Sequence, residues 1–520
     1  MHTHKWIKQV LCISVTGLLA MCPENLIAAE SKEVFSVPLG QRQLFLDDVG
    51  IASMENLERV MHQPSKKGSV IRPCGYESVL QTRSAPMWDP EAKIFKLWMI
   101  TSTSIPDSSG MTYVESKDGL HWTKPVVRQV EVNGSLENNF VSVDPKLKWP
   151  ANAIENVVYD PDDPDPTRRY KGLAHCHGRE PIVSPDGIHW RRLDVPSINS
   201  SDESNMSYDE QTKTFIATVK QGDKYGRSVY LTTSKDFEHW TKPELIFHSD
   251  ELDQKLGREN IKARFANPLL QHARYNDSNA YNVDVYNMGV FRYEGLYIGI
   301  PAIYHSTGKC VNYPNTVGFG MLQLACSRDM KTWKRLGNRK PFIETSLLNS
   351  GAYDLTQILP PSRPILRTGM DSFSGKDELW FYYTGLKYRD SFDYVGTYPD
   401  GQMVMRTDLD ADAGAICLAV LRRDGFISID AGHKQGVLVT RAFTVTGCGL
   451  CVNVDALKGT LKVKILDDSG NVAAESEPVT GDELHARLQW KKGNLENLKG
   501  RKISLSFIIR DARLYSYWFE

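Results

Sequence analysis

SKDGLHWTKP, residues 116–125, is a polar turn followed by a large indole and a proline. It returns as SPDGIHWRRL from Ser184, TSKDFEHWTKP from Thr233 and CSRDMKTWKRL from Cys326, and in decayed form as LRRDGFISID from Leu421. The shared frame is Ser-x-Asp-x-x-x-Trp. Each copy follows a strand-like run such as GMTYVE, GRSVYLTT, FGMLQLA or AICLAVL. The Asp and its successor supply a tight hairpin turn, and the Trp starts the next strand. Upstream of the copies lies a second pattern of strand, polar turn and strand, as in SAPMWDPEAKIFKLWMI and NMSYDEQTKTFIATV. Two hairpins in succession make a four-stranded antiparallel sheet. Self-similarity of this kind predicts an all-β modular array, and five such sheets about an axis make a five-bladed β-propeller, which leaves only short, protected edges.

On this reading Asp118, Asp186, Asp236, Asp329 and Asp424 close outer hairpins, while Trp122, Trp190, Trp240 and Trp333 pack between blades. Their role is architectural. Asp89-Pro90 and Asp160-Pro161 read as further hairpin residues. Helical periodicity is confined to the stretch around DELDQKLGREN. From about Gly436 the texture changes to short alternating strands without the Trp frame, which predicts a C-terminal β-sandwich. The expected organisation is a signal peptide over 1–29, a propeller over 34–432 and the sandwich over 433–520.

The first thirty residues have a basic start (His4, Lys5, Lys8), an apolar run from Val10 to Met21 and small residues at Ala28 and Ala29. That is the pattern of a cleaved secretory signal, so a secreted or periplasmic location is expected; a lipoprotein cleavage at Cys22 is the lesser alternative, because Met21 is a poor residue before an acylated cysteine. No later apolar run is long enough to span a bilayer as a helix. Lys and Arg number 62 against 63 Asp and Glu, a balance that disfavours a nucleic-acid or anionic-membrane partner. Of nine cysteines, Cys12 and Cys22 fall in the signal, and the scattered remainder describes no disulfide framework. Cys448 and Cys451 form C-x-x-C but read as strand residues, since no second ligand pair accompanies them.

Propeller geometry narrows the search for a site. Innermost strands converge on the axis and enclose a funnel that holds one small ligand. Polar residues at their starts are Gln81 and Arg83; Glu155 and Asn156; Asp202, Glu203 and Asn205; Asp284, Tyr286 and Asn287; Asp354 and Gln357, with Asp47 and Asp48 added by the N-terminal LFLDDVG. Acids gathered there suit glycoside hydrolysis, in which one carboxylic acid protonates the leaving oxygen and a second carboxylate activates water or attacks the sugar. The candidate catalytic set is Asp48, Asp202, Glu203, Asp284 and Asp354. Arg83, Glu155, Asn205, Tyr286 and Gln357 are the candidate substrate-binding residues. No catalytic metal or cofactor is expected. Asp408, Asp410 and Asp412 resemble the start of a calcium loop without its downstream Glu, which leaves a structural calcium as a minor reading. His175 and His177, in GLAHCHGRE, are read as sharing one face of a strand.

At these residues the chain resembles the five-bladed propeller superfamily of glycosidases that contains arabinanases, β-xylosidases and invertases. More closely, QLFLDDVGIASMENLERVMHQP, the DGLHWTKP repeats and the ending LKGRKISLSFIIRDARLYSYWFE resemble a group of secreted glycosyl hydrolase-like propeller proteins. The resemblance implies three acidic residues on different inner strands acting as base or nucleophile, pKa modulator and general acid. The W-x-N-D-P-N-G, R-D-P and E-C motifs of the invertase-like members are absent, so the candidates here are chosen by position. The expected function is exo-acting hydrolysis of a plant or algal oligo- or polysaccharide. The alternatives are a non-catalytic carbohydrate-binding propeller and a polysaccharide lyase.

Overall fold

The four intact copies of the repeat build the same turn. Ser116, Ser184, Ser234 and Ser327 each accept, at Oγ, the backbone N–H of the Asp two residues on. Oδ1 of that Asp accepts the N–H groups of the second and third residues after it. The residue next to the Asp lies in the left-handed region, with φ of 82° at Gly119 and Gly187, 67° at Phe237 and 62° at Met330. Its carbonyl accepts the indole N–H of the motif Trp. Each indole is thereby fixed against a neighbouring blade: Trp122 meets Tyr382 edge-on, Trp190 meets Trp98, Trp333 meets Phe247, and Trp240 packs in a cluster with Val158 and Leu173.

The computed structural model describes residues 35–105, 107–148, 151–273, 275–309, 316–388, 394–397, 403–405 and 411–520. The expected signal peptide, Asp408 and Asp410 lie outside them. Five blades follow in chain order. Blade I has a split innermost strand, Glu77–Gln81 and Met87–Asp89, then Ile94–Thr103, Gly110–Ser116 and Trp122–Thr123. Blade II is Ile154–Tyr159, Tyr170–Ala174, Glu180–Ser184 and Arg191–Arg192, and blade III is Ser204–Asp209, Thr214–Asp223, Gly226–Ser234 and Glu244–Phe247. Blade IV runs Asn282–Tyr293, Leu296–Lys309, Ala325–Ser327 and Lys334–Arg335, with Thr316–Leu322 as an added strand on the second. Blade V begins with Gln357–Leu359 and Ile365–Arg367, continues through Glu378–Leu386 and Gly414–Arg422, and takes its outermost strand, Ser65–Ile71, from the other end of the chain.

That closure corrects the reading of the fifth copy. After Asp424 the chain does not turn back onto Gly414–Arg422. The next strand, Ile427–Ala431, pairs with Glu58–Met61 and with Ala512–Phe519. The decayed copy lacks the motif Ser and Trp, so nothing builds the turn. Asp424 is instead a buried bolt between propeller and sandwich: it pairs with Arg42 at 2.7 Å and accepts from Tyr293 Oη, Ser516 Oγ and Asn453 Nδ2.

The C-terminal sheet folds on itself about the long strand Leu450–Leu466. Its first half pairs with Val479–Arg487 and Ala512–Phe519, its second with Val472–Ser476 and Lys502–Arg510. Alternating residues of the two layers, among them Val452, Val454, Val463, Ile465, Leu505 and Phe507, form a separate core. Gln43–Leu44, Ile51–Glu55 and Glu58–Met61 also pair into these layers. The one α-helix among the described residues, Glu251–Ala266, starts with a capping box between Asp250 and Asp253 and packs beside blade IV.

Candidate functional site

Four of the five inner strands are bulged or broken near the axis, and polar groups gather there and at the regular start of the blade III strand. Blade I is interrupted between Gln81 and Met87, blade II shifts register after Glu155 with Asn156 at φ 57°, blade IV shifts between Val285 and Met288, and blade V breaks at Pro360–Pro364. The backbone groups freed at these points bond across the hub. Ser84 Oγ accepts the Val157 N–H at 2.9 Å, Ser362 Oγ accepts the Met206 N–H at 3.1 Å, and Arg83 O accepts from Ser362 Oγ at 2.6 Å and Asn205 Nδ2 at 3.2 Å. Asn205 Oδ1 accepts from Asn287 Nδ2 at 3.0 Å. The hub is therefore closed by a polar floor, and the amide of Asn205, expected to contact substrate, is committed to that floor.

Around the floor lies a chain of alternating charge. Arg83 grips Glu203 with two parallel bonds, Nε to Oε2 and Nη2 to Oε1, the latter at 2.7 Å, and both side chains are about 95% removed from solvent. Arg83 Nη2 also reaches Gln81 Oε1. Glu155 stands beside this pair with Arg179 Nη1 at 3.2 Å and the Cys176 thiol at 3.6 Å. Lys220 holds Asp202 at 2.6 Å and lies over the Tyr286 ring; Arg227 holds Asp284 at 2.8 Å and covers the rings of Tyr286 and Tyr304.

The acids are not equivalent. Burial pushes the Glu155 carboxyl above the ordinary glutamate value, and the neighbouring Arg179 and Arg83 only partly oppose it. Its Oε2 takes only the ion pair with Arg179 Nη1, while Asn156 Oδ1, Asp284 Oδ1 and Asn287 Oδ1 have no hydrogen-bond partner. Asp202 is the opposite case. Its side chain is 45% exposed, and against the cost of burial the Lys220 ammonium holds it down at about 2. Lys220 itself is pushed below the ordinary lysine range by burial. Arg83 is raised: the Glu203 charge and its hydrogen bonds outweigh burial.

Of the candidate residues, Arg83, Glu155, Asp202, Glu203, Asn205, Asp284 and Tyr286 thus come together. Asp48 does not. It is exposed on the rim, paired with Arg59 and with Lys334 of the outermost strand of blade IV. LFLDD leads into the sandwich layers, so its acids never reach the axis. Asp354 is buried apart from the group, held by Lys66 at 2.8 Å and by Tyr383 Oη at 2.8 Å. Gln357 is buried beside Gly320 of blade IV. His175 and His177 sit in the turn between strands Tyr170–Ala174 and Glu180–Ser184, with His175 at φ 71°, rather than on one face of a strand. Asp412 pairs with Lys387 and Tyr353.

Arg179, Lys220 and Arg227 escaped a search confined to innermost strands. One signal could have found Lys220. In the hairpin of blade III the Lys220 N–H bonds the Glu203 carbonyl, so the register alone sets it opposite that acid.

No protein-family profile and no curated protein matches the chain. Solved structures resemble it over most of its length at low identity. An N-acetylgalactosamine deacetylase from F. plautii is 14% identical at a TM-score of 0.38, covering 70% of this chain and 95% of that one. A family 43 arabinoxylan arabinofuranohydrolase from Bacillus subtilis is 9% identical at 0.34, covering 87% and 99%, and a Bombyx mori family 32 beta-fructofuranosidase is 11% identical at 0.34, covering 86% and 93%.

Proposed function

We propose that this protein is a glycoside hydrolase whose general acid is Glu155 and whose general base or nucleophile is Asp202. The observation that carries the reading is the contrast between the two carboxyls. Glu155 is buried, and burial raises its carboxyl pKa although Arg179 lies 3.2 Å from Oε2, the direction required of an acid that protonates a glycosidic oxygen. Asp202 is solvent-facing and held ionised by Lys220. Glu203, locked by Arg83, serves as the charge that modulates Glu155, and Asp284 with Arg227 and Tyr286 forms the opposite wall. Asn156, Asp284 and Asn287 offer buried acceptors without donors, a surface suited to sugar hydroxyls. A closed floor favours exo-action on a chain end. A plant or algal glycan is the proposed substrate class, and residues 1–29 would carry the protein out of the cytoplasm.

The complete pairing of hub acids with Arg83, Arg179, Lys220 and Arg227 favours a second reading, a propeller that binds sugars without turnover. One experiment separates them. Purified protein is incubated with plant and algal glycans and reducing ends are measured. The hydrolase reading expects release, cut about 10²–10⁴-fold in Glu155→Gln and Asp202→Asn. Binding with no release, unchanged in both variants, replaces it with the lectin; a product absorbing as an unsaturated uronate replaces it with a lyase.

A further inference from the structure

Outside the propeller, three side chains with metal-binding chemistry converge on one face of the sandwich. Cys451 lies on strand Leu450–Leu466, His485 on Val479–Arg487, and Glu520 follows Ala512–Phe519. The first strand pairs with both of the others, with Cys451 opposite Arg487 on one side and Trp518 on the other. Residues two apart on a strand share a face, so His485 and Glu520 fall on the face of Cys451. One ligand atom from each lies within 4.8 Å of the other two, and His485 Nε2 is already 2.9 Å from Glu520 Oε1.

We infer that Cys451, His485 and Glu520 form a binding site for a zinc-class divalent transition-metal ion. A tetrahedral zinc ion has bonds of about 2.0–2.3 Å, which set its ligands roughly 3.3–3.7 Å apart, so the widest pair closes by at most about 1.5 Å while His485 Nε2 and Glu520 Oε1, 2.9 Å apart, open slightly. The donor set is one sulfur, one imidazole nitrogen and one carboxylate oxygen. That mixture selects against calcium and magnesium, which take oxygen ligands. The surroundings fix the ligands in the manner of an outer shell: Trp518 Nε1 donates to Glu520 Oε1 at 3.0 Å, and the Trp518 ring meets His485 edge-on. Backbone bonds anchor the third ligand as well, because the N–H groups of Cys448 and Gly449 both donate to Glu520 O.

Binding through sulfur replaces the Cys451 thiol proton with the metal ion, so one proton is released per ion bound. His485 is half-exposed, so the site opens to solvent on one side. The exposed Cys448 lies outside the cluster.

The test titrates chelator-stripped, untagged full-length protein with Co²⁺ and then displaces it with Zn²⁺. One equivalent is expected, with the intense visible bands of a tetrahedral ion and a near-ultraviolet thiolate-to-cobalt band. Cys451→Ser abolishes the near-ultraviolet band, and His485→Gln, an exposed change that leaves the strand intact, weakens zinc affinity by about tenfold or more. Cys448→Ser leaves affinity unchanged. Octahedral cobalt spectra, a charge-transfer band that survives Cys451→Ser, or zinc affinity indifferent to His485→Gln overturns the assignment.

Discussion

Gly187→Ala tests the claim that the repeated turn holds neighbouring blades together. Gly187 has φ of 82°, its carbonyl accepts the Trp98 indole N–H at 2.7 Å, and an added Cβ would stand 2.4 Å from Trp98 Cζ2. The substitution combines two costs. Left-handed backbone for a residue with a Cβ costs about 1–2 kcal/mol, and forcing a methyl against a packed indole costs about 1–3 kcal/mol more. A loss of about 2–5 kcal/mol is expected. Gly134 supplies the control within the same molecule. It has φ of 74° with nothing within 4 Å of its Cβ position, so Gly134→Ala loses only the backbone part, about 1–2 kcal/mol. Urea unfolding followed by tryptophan fluorescence, with midpoints compared at equal slope, reads the difference. Equal shifts in the two variants would refute the inference that the turn's close approach to Trp98 carries interblade stability.

The remaining predictions concern the hub. Glu203→Gln removes the charge that answers the buried Arg83 guanidinium, and loss of one member of a buried pair costs about 3–5 kcal/mol, read as a lowered unfolding midpoint. On the proposed hydrolase reading, the pH profile of kcat/KM is expected to have its alkaline limb above 4.5, where Glu155 loses its proton, and its acid limb near 2, where Asp202 gains one, with the alkaline limb absent in Glu155→Gln. Stability carries the same signs. The raised Glu155 destabilises as pH climbs through its folded value. The depressed Asp202 stabilises above 3.8, and that contribution is lost as pH falls toward 2, so Asp202→Asn flattens the acid end of a Tm-against-pH curve.

How much was legible in the sequence follows from which interactions are local. The Ser-x-Asp turn is closed by atoms within three residues of one another, so four copies could be read directly and the propeller with them. The third and fourth copies even place Phe237 and Met330 where the first two need glycine, because in those the Cβ space is filled by Tyr382 Oη and Trp98. The fifth copy kept Asp424 but lost the Ser and Trp, and a decayed motif does not announce that its hairpin has become a linker. Position along inner strands brought together Arg83, Glu155, Asp202, Glu203 and Asp284. Asp48 and Asp354 lie outside this group, Asp48 held by Arg59 and Lys334 and Asp354 by Lys66. Lys220 and Arg227 were invisible because they sit on the second and third strands of blade III, where only the register brings them to the axis, and Arg179 because it lies in the connection before the third strand of blade II, bridged to Ile198.

The strands at the two ends of this polypeptide are one another's partners: Ser65–Ile71 lies against Gly414–Arg422, and Gln43–Leu44 against Ala512–Phe519. A ribosome therefore emits the earliest strands long before their mates exist, and they must wait with open edges until synthesis is nearly complete. Once sealed, the arrangement works in reverse. Neither strand of such a pair can detach without tearing the ladder formed by the other.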